Sequence, residues 1–499
     1  MKKKIRMSAA SVLLLSIALT TAACGGNNGN GNASGNASPS TNAAPESSAA
    51  ASASESPGAS AQAEPVEIVV WDKPSADAAD KAFKEEAFAA FEAKYPNIKV
   101  IHVEQTKEKE REQFMTAVAG GEQPDLYKNP YPDMESYIAQ GIAADITDLW
   151  NGFEGKDGYL PSSLNAATVD GKIYGVPNDM YVTGLLYNKQ MFADAGLDPA
   201  ASLKDWDSFG AAAQKMTDAS KGTYGYAILG MDWADWFFEY YVWQAGGDLT
   251  EKQPDGTAKL TFTSDATIQA LQYYKDLKFK YKATQKNVVQ SLDDNQKDFY
   301  TGRAASMIAG SDWIGGLVAK GMDLNNIGFS ALPVGPSGKA PSQVGGSYWI
   351  LNPKSSPEKQ QAAFTYATYI TSKAYLESVL QYNKDNGMFP NLLSVRTDVD
   401  VTDFVDGLPA EVVSGVQSAA KDTHLEYFLK ARLSPYIVKP IQQALLNENT
   451  DLKAVLQTAQ DLAQKEVIDK YNEEVKKIKE IGILSKRESR CYSRGERTL

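Results

Sequence analysis

Eight tryptophans and twenty-five tyrosines stand in this chain beside 62 acidic residues, a mixture that suits the holding of a polyhydroxylated ring. Such a ring has an apolar C–H face that packs on an aromatic plate and a rim of hydroxyls that carboxylates and amides bond in the ring plane. Trp71 and Asp72 fall at the carboxyl end of the first expected strand, where ligand residues of α/β folds gather. Asp125 sits at another expected strand end, although a loop-capping role fits it equally. Asp179 lies between the turn at Val176-Pro177 and the next strand, placed to accept from hydroxyls. Trp349 follows Gly345-Gly346-Ser347, where backbone can approach a ligand closely; packing at a hinge is the competing reading. Trp150, Trp206 and Trp243 fall in helical patterns and read as core.

Catalytic patterns are weak by comparison. His102 and His424 are the only histidines, and neither has a cysteine or serine motif beside it. No nucleophile elbow is found, and no His/Cys cluster has the short spacing of a zinc site, so neither metal nor cofactor is expected. The acidic run Asp293-Asp294-Asn295-Gln296-Lys297-Asp298 lacks the glycine and terminal glutamate of a calcium loop. Gly335-Pro336-Ser337-Gly338-Lys339-Ala340 fails the phosphate-loop spacing. A glycosidase stays open as a rival, because so many carboxylates always allow some pair to face a cleft.

These side chains need a scaffold, and the hydrophobic pattern supplies an α/β one. Val66-Glu67-Ile68-Val69-Val70-Trp71 has the β-branched content of a buried strand. Phe83, Ala87, Phe88, Phe91 and Tyr95 then recur at helical spacing until Pro96 closes the segment. Residues 98–103 and 124–127 read as further strands with a Glu/Lys-rich helix between them. Residues 171–177 read as a tight turn between strands, and residues 182–188 as another strand. Residues 360–380 and 451–481 are expected helices. Strand and helix in alternation imply a mostly parallel sheet covered on both faces.

The two ends differ from the middle. Lys2, Lys3, Lys4 and Arg6 precede an apolar stretch over residues 7–19 that is short for a membrane span, so residues 1–23 read as an export signal. Leu19-Thr20-Thr21-Ala22-Ala23-Cys24-Gly25 resembles a lipobox, with Thr21 where that pattern prefers Leu, Val or Ile; the resemblance implies lipidation at Cys24. Residues 24–65 are almost wholly Gly, Asn, Ala, Ser and Pro and read as a flexible tether, with a reach of roughly 35 Å. Residues 485–499 read as a disordered polar tail. Cys24 and Cys491 are the only cysteines, which leaves stability to the core. A net charge of −12 argues against nucleic acid as a partner.

A resemblance enters at Leu186-Tyr187-Asn188-Lys189-Gln190-Met191-Phe192-Ala193-Asp194-Ala195-Gly196-Leu197. It continues through Lys204-Asp205-Trp206-Asp207-Ser208-Phe209, Gly246-Gly247-Asp248-Leu249 and Phe299-Tyr300-Thr301-Gly302-Arg303-Ala304-Ala305-Ser306-Met307. It resumes at Gly310-Ser311-Asp312-Trp313, Ala331-Leu332-Pro333-Val334-Gly335 and Gly346-Ser347-Tyr348-Trp349-Ile350. In this order the segments resemble the family 1 extracellular solute-binding proteins, the maltose-binding-protein-like capture proteins of ABC importers. The resemblance implies a type II periplasmic-binding-protein-like fold, with two α/β lobes that close on a ligand held between them. It implies a first lobe over residues 66–180 and 331–390 and a second over residues 181–330 and 391–484, with crossings near residues 180–184, 329–333 and 389–393. It places a stacking platform at Trp313 and further aromatics at Trp236 and Trp233. It implies a monomer held outside the cytoplasmic membrane by its lipid, with a permease pair and an ATPase as partners. The implied cargo is a mono- or oligosaccharide; a peptide or a phosphorylated polyol stays open.

Overall fold

The structure is a computed structural model that describes residues 65–73, 78–106, 109–231 and 233–477. The export signal, the tether, Cys24, Cys491 and the tail lie outside the described residues. The first strand, β1 (Val66–Asp72), leads into helix α1 (Ala78–Lys94), and the chain returns in β2 (Ile98–Glu104), parallel to β1. β3 (Leu126–Pro130) lies parallel on the other side of β1. The long strand β4 (Val176–Asn188) follows, then β5 (Ser306–Gly310), β6 (Ile327–Ser330), β7 (Ser342–Leu351) and the short β8 (Thr423–His424).

All eight strands join one sheet in the order β6-β4-β7-β3-β1-β2, with β5 on β4 and β8 on β7. At 13 residues β4 is about twice the usual strand length, and it serves two neighbourhoods. Residues 176–182 pair antiparallel with β7, whereas residues 183–188 pair with β5 and β6. Its second half is buried on both faces, which explains an unbroken apolar run. Leu185 and Tyr187 point into one core, Val182 and Leu186 into another, as the two-residue strand period demands.

Three apolar cores follow from this arrangement. The first gathers Ile68, Val70, Phe91, Leu126, Tyr348, Ile350 and Phe364 around β1, β3, β7 and helix α3 (Pro357–Ile370); the helix α2 (Ala234–Gln244) lies elsewhere, in the second. That second core packs α2, with Phe237 and Phe238, against helix α4 (Lys430–Leu446), with Leu433, Ile437 and Ile441. The third, with Met307, Phe329 and Val416, covers the other face of β4, β5 and β6. The chain passes from the first core to the second along β4 and comes back along β7. Leu332 still belongs to the second core, so this return lies later than residues 329–333. Residues 389–404 shuttle between the bodies. Phe389 packs on the third core and Val395 sits in the first, and from Ala410 onward the helices belong to the second body.

The expected helix over residues 360–380 is two. It breaks after Ile370, where the Ser372 side chain accepts from the Tyr375 N–H and starts Lys373–Asp385. Residues 171–177 contain the expected turn, with Asp170 and Gly171 both left-handed between two-residue strands. No helix among the described residues is long and apolar enough to cross a membrane.

Where β4 and β7 carry the chain between bodies, the register shifts at Ser347/Tyr348 and Gly346 adopts φ 146°. A Cβ on Gly346 would meet the Asp179 carbonyl oxygen at 2.1 Å, closer than real Cβ contacts allow. Gly321 is a control, with φ 92° and open space around it. Gly346→Ala is expected to lower the unfolding free energy obtained from urea titration by about 1–3 kcal/mol or more, well beyond the cost of Gly321→Ala. Equal costs for the two would show that the strands do not crowd here.

Candidate functional site

The carboxyl ends of β1 and β3 and the crossing strands open onto a cleft of about 2340 Å³ between the first body and the second. The first body contributes Lys73, Tyr131, Asp133 and Asp179, and the second contributes Tyr181, Asp235, Asp312 and the tryptophans. Trp313 opens the helix Trp313–Ala319, is half-buried, and stacks on Trp236 with ring centroids 5.8 Å apart and planes 17° from parallel. Trp236 is almost fully buried and acts as a backing plate. Its indole N–H donates to the Gln343 side-chain oxygen at 2.7 Å, and the Tyr240 hydroxyl donates to the same oxygen at 3.1 Å. Trp233 is different: 57% exposed, at φ 72°, with the Lys430 ammonium 5.7 Å from its ring centre.

The acids of the cleft lie in unlike surroundings. Asp179 accepts from the Ser347 hydroxyl at 2.6 Å and from the Asn178 amide at 2.6 Å. Asp235 is buried and accepts from the Tyr427 hydroxyl at 2.7 Å. Beneath it Glu239 is fully buried, takes the Tyr427 N–H at 3.1 Å, and leaves Oε1 without a partner. Burial pushes Glu239 well above the usual carboxylate range, against the pull of Lys430 and with a further push from Glu426. Asp312 opens to the cleft, and the protein packed around it pushes its carboxyl up to about 6, with Asp179 adding to the shift and Lys73 opposing it.

Of the eight residues singled out in the sequence, Asp179, Trp233, Trp236 and Trp313 line this cleft together. The other four do not. Asp125 precedes β3 instead of ending it, so it lies at the edge of the sheet remote from the strands' carboxyl ends. Its carboxylate accepts from the Val69 N–H, the Ser355 hydroxyl and the Lys359 ammonium, clamping α3 to β1. Trp349 is buried, with its indole N–H on Asn178 at 2.8 Å; in a regular strand it would share the face of Ser347, which lines the cleft, but the register shift at Ser347/Tyr348 interrupts the alternation between them. Trp71 packs on the first core. Asp72 pairs with Lys128 at 3.3 Å; burial alone would raise its carboxyl, but Lys128 and the Lys73 N–H hold it below the usual range.

Tyr131, Tyr181, Asp235 and Asp312 were missed. Asp312 stands inside the quoted segment ending at Trp313, and Tyr131 follows β3 in Pro130-Tyr131-Pro132, so strand-end position was the available signal. His102 lies tilted against Phe88 in the first body and His424 stacks on Trp243 in the second, so the histidines do not meet. Among the described residues no group of three or more His, Cys, Asp or Glu is arranged to hold a metal ion.

The raised carboxyl of Asp312 has a measurable sign. The folded chain binds this proton near pH 6 and the unfolded chain near the ordinary ~3.9. Ionisation therefore costs the folded state above pH 6, and that cost disappears as the pH falls toward 4. Asp312→Asn is expected to be the more stable protein at pH 7.5, with the advantage shrinking through pH 6. Urea midpoints of both proteins across this range check it; a difference that does not change with pH would show the carboxyl to be unperturbed.

Comparison with known proteins extends the geometry. A family model described as bacterial extracellular solute-binding protein matches residues 86–409. A Brucella abortus protein described only as a binding protein is 26% identical over 281 residues, which is 56% of this chain and 66% of that protein. This chain therefore spans just under two thirds of that relative. The lactose-binding protein of Rhizobium radiobacter is 25% identical over 331 residues, 63% of this chain and 73% of that one. Among solved structures, an ABC transporter solute-binding protein of Thermotoga lettingae bound with alpha-D-tagatose superposes with a TM-score of 0.64 at 22% identity, covering 82% of this chain and 100% of that one. At that identity the likeness speaks for the fold, two α/β lobes about a cleft. With about two thirds of its length matched, from α1 through the return to the second body, the chain belongs to the bacterial extracellular solute-binding proteins.

Proposed function

We propose that this chain captures a carbohydrate in the cleft between its lobes and delivers it, chemically unchanged, to an ABC permease and its ATPase. The observation that carries the reading is the plate formed by Trp313 on its buried backing Trp236, with Asp179 and Asp312 in the same cleft. An aromatic plate gains ~0.5–1.5 kcal/mol from stacking beyond area burial, so two plates and a few hydrogen bonds approach the ~8 kcal/mol of a micromolar complex. The ligand residues are then Trp233, Trp236, Trp313 and Asp179 from the sequence, joined by Tyr181, Asp235 and Asp312. The lactose-binding relative supports a sugar as cargo. In this reading the chain works as a monomer, lipidated at Cys24 and displayed on the outer face of the cytoplasmic membrane.

A thermal-shift screen against mono- and oligosaccharides tests it. A ligand at 100 times its Kd stabilises by ~2.7 kcal/mol, and the sugar should be recovered intact. Steady conversion of the sugar would instead establish a glycosidase. Trp313→Ala is expected to abolish most of the affinity for the sugar that emerges while moving the apo midpoint little, because the ring is half open and Trp236 remains beneath it. A fully buried tryptophan would cost ~3–5 kcal/mol on the same truncation. Collapse of the apo protein with near-native affinity in the folded remainder would make Trp313 a core residue.

A further inference from the structure

Both indoles of the plate are tied to the same two residues of β4. Val182 pairs with Val344 of β7 and Thr183 with Gly310 of β5, so the strand changes partners between them. On one side the Ser311 N–H donates to the Val182 carbonyl at 2.8 Å, and the Ser311 hydroxyl accepts from the Val182 N–H at 3.3 Å, two residues before Trp313. On the other side the Thr183 hydroxyl accepts from the Gln343 N–H at 2.8 Å, and the Gln343 side-chain oxygen accepts from the Trp236 indole. The plate is thus moored where the chain passes from one body to the other.

Gln343 is the mooring that a substitution can cut. It is buried and does not line the cleft, whereas both indoles do. Its backbone is held on the other side by pairing with His424 of β8. Its oxygen serves two donors one turn apart on α2, the Trp236 indole and the Tyr240 hydroxyl. Packing between flat rings keeps their planes together but leaves each ring free to turn within its plane. A directional bond to the one ring N–H removes that freedom, and in a dry site water does not compete for it. A plate already oriented before binding loses less freedom when cargo arrives, so its orientation adds to affinity.

We propose that Gln343 is a positioning residue for the cargo: without touching the sugar, its side-chain oxygen holds Trp236, and through it Trp313, in the orientation that stacks. Only the affinity arm of the test rests on the carbohydrate reading. Gln343→Met keeps the length of the side chain and removes the acceptor, whereas Gln343→Glu keeps an oxygen there in either protonation state. Tyr240→Phe removes the other donor to the same oxygen and controls for the loss of a buried hydrogen bond as such. The first readout needs no ligand: the exciton band of the stacked indoles in circular dichroism, taken as the difference between the native protein and Trp313→Ala. Gln343→Met is expected to lose about half of this band or more, while Gln343→Glu and Tyr240→Phe keep most of it. The second readout is calorimetry with lactose, maltose and cellobiose. For whichever of these binds, Gln343→Met is expected to weaken affinity about tenfold, and Gln343→Glu and Tyr240→Phe less than about threefold. In a Trp236→Phe background, where the ring N–H is gone, Gln343→Met is expected to add less than about twofold. An unchanged band in Gln343→Met, an equal loss of affinity in Gln343→Met and Tyr240→Phe, or the whole loss repeated in the Trp236→Phe background overturns the proposal. If Gln343→Met does not fold, Thr183→Val carries both readouts in the same direction, because it removes the hydroxyl that anchors the Gln343 N–H and keeps a β-branched side chain in the strand; an unchanged band again overturns the proposal. If none of the three disaccharides binds, the band decides. Failure of the broad saccharide screen removes the carbohydrate reading and leaves the positioning of the plate to be judged by the band.

Discussion

The fold of this protein hangs on one strand that serves both bodies of a single sheet. Val176–Asn188 satisfies its backbone groups with β7 along its first half and with β5 and β6 along its second. A strand whose N–H and C=O groups are paired on both edges cannot slip register without breaking a whole ladder, and a slip of one residue would exchange the contents of the cores on its two faces. The two bodies are therefore fixed in identity but joined through a narrow waist. The crowding of Gly346 against the Asp179 carbonyl lies at that waist, with Asp179 itself facing the cleft.

The aromatic plate is wired to the same strands. Trp313 rests on Trp236, whose indole N–H ends on Gln343 of β7, and the backbone N–H of Gln343 donates to the Thr183 hydroxyl of β4 at 2.8 Å. Gln343 is buried, so its bonds to Trp236 and Tyr240 are made without competition from water. The orientation of the plate is thus set by the hinge strands and not by the surface helix that carries Trp313. Any motion of the lobes about those strands carries the plate with the second body.

The electrostatics of the second body's wall follow from packing. Asp235 and Glu239 share α2 and both meet Tyr427, one through its hydroxyl and the other through its N–H. Lys430 is paired with Glu426 at 2.7 Å, so its charge is already partly satisfied. Burial disfavours a charge on Glu239 and so pushes its carboxyl upward. The wall of the cleft therefore presents the Asp235 carboxyl bonded to Tyr427 and the paired Lys430, with Asp312, its carboxyl pushed up to about 6, at the open side.

Composition and local pattern by themselves determined the α/β class, the strands at 66–71, 98–103 and 182–188, and the segments that carry the family likeness, because burial on one or two faces writes itself into residue spacing. Position between turn and strand singled out Asp179, and the family resemblance placed Trp313, Trp236 and Trp233. What they did not determine was which end of a strand a residue occupies and which face it takes. Asp125 precedes β3 where it was expected to end a strand, and Trp349 is buried beyond a register shift at Ser347/Tyr348, a local irregularity that pattern alone does not resolve. Asp72 is taken by Lys128, a partner 56 residues away in sequence. The cleft-facing side of α4 was invisible for a related reason: the spacing of Leu433, Ile437 and Ile441 shows which face is buried, but only the packing of that face against α2 decides that the other looks into a cleft and not into bulk water.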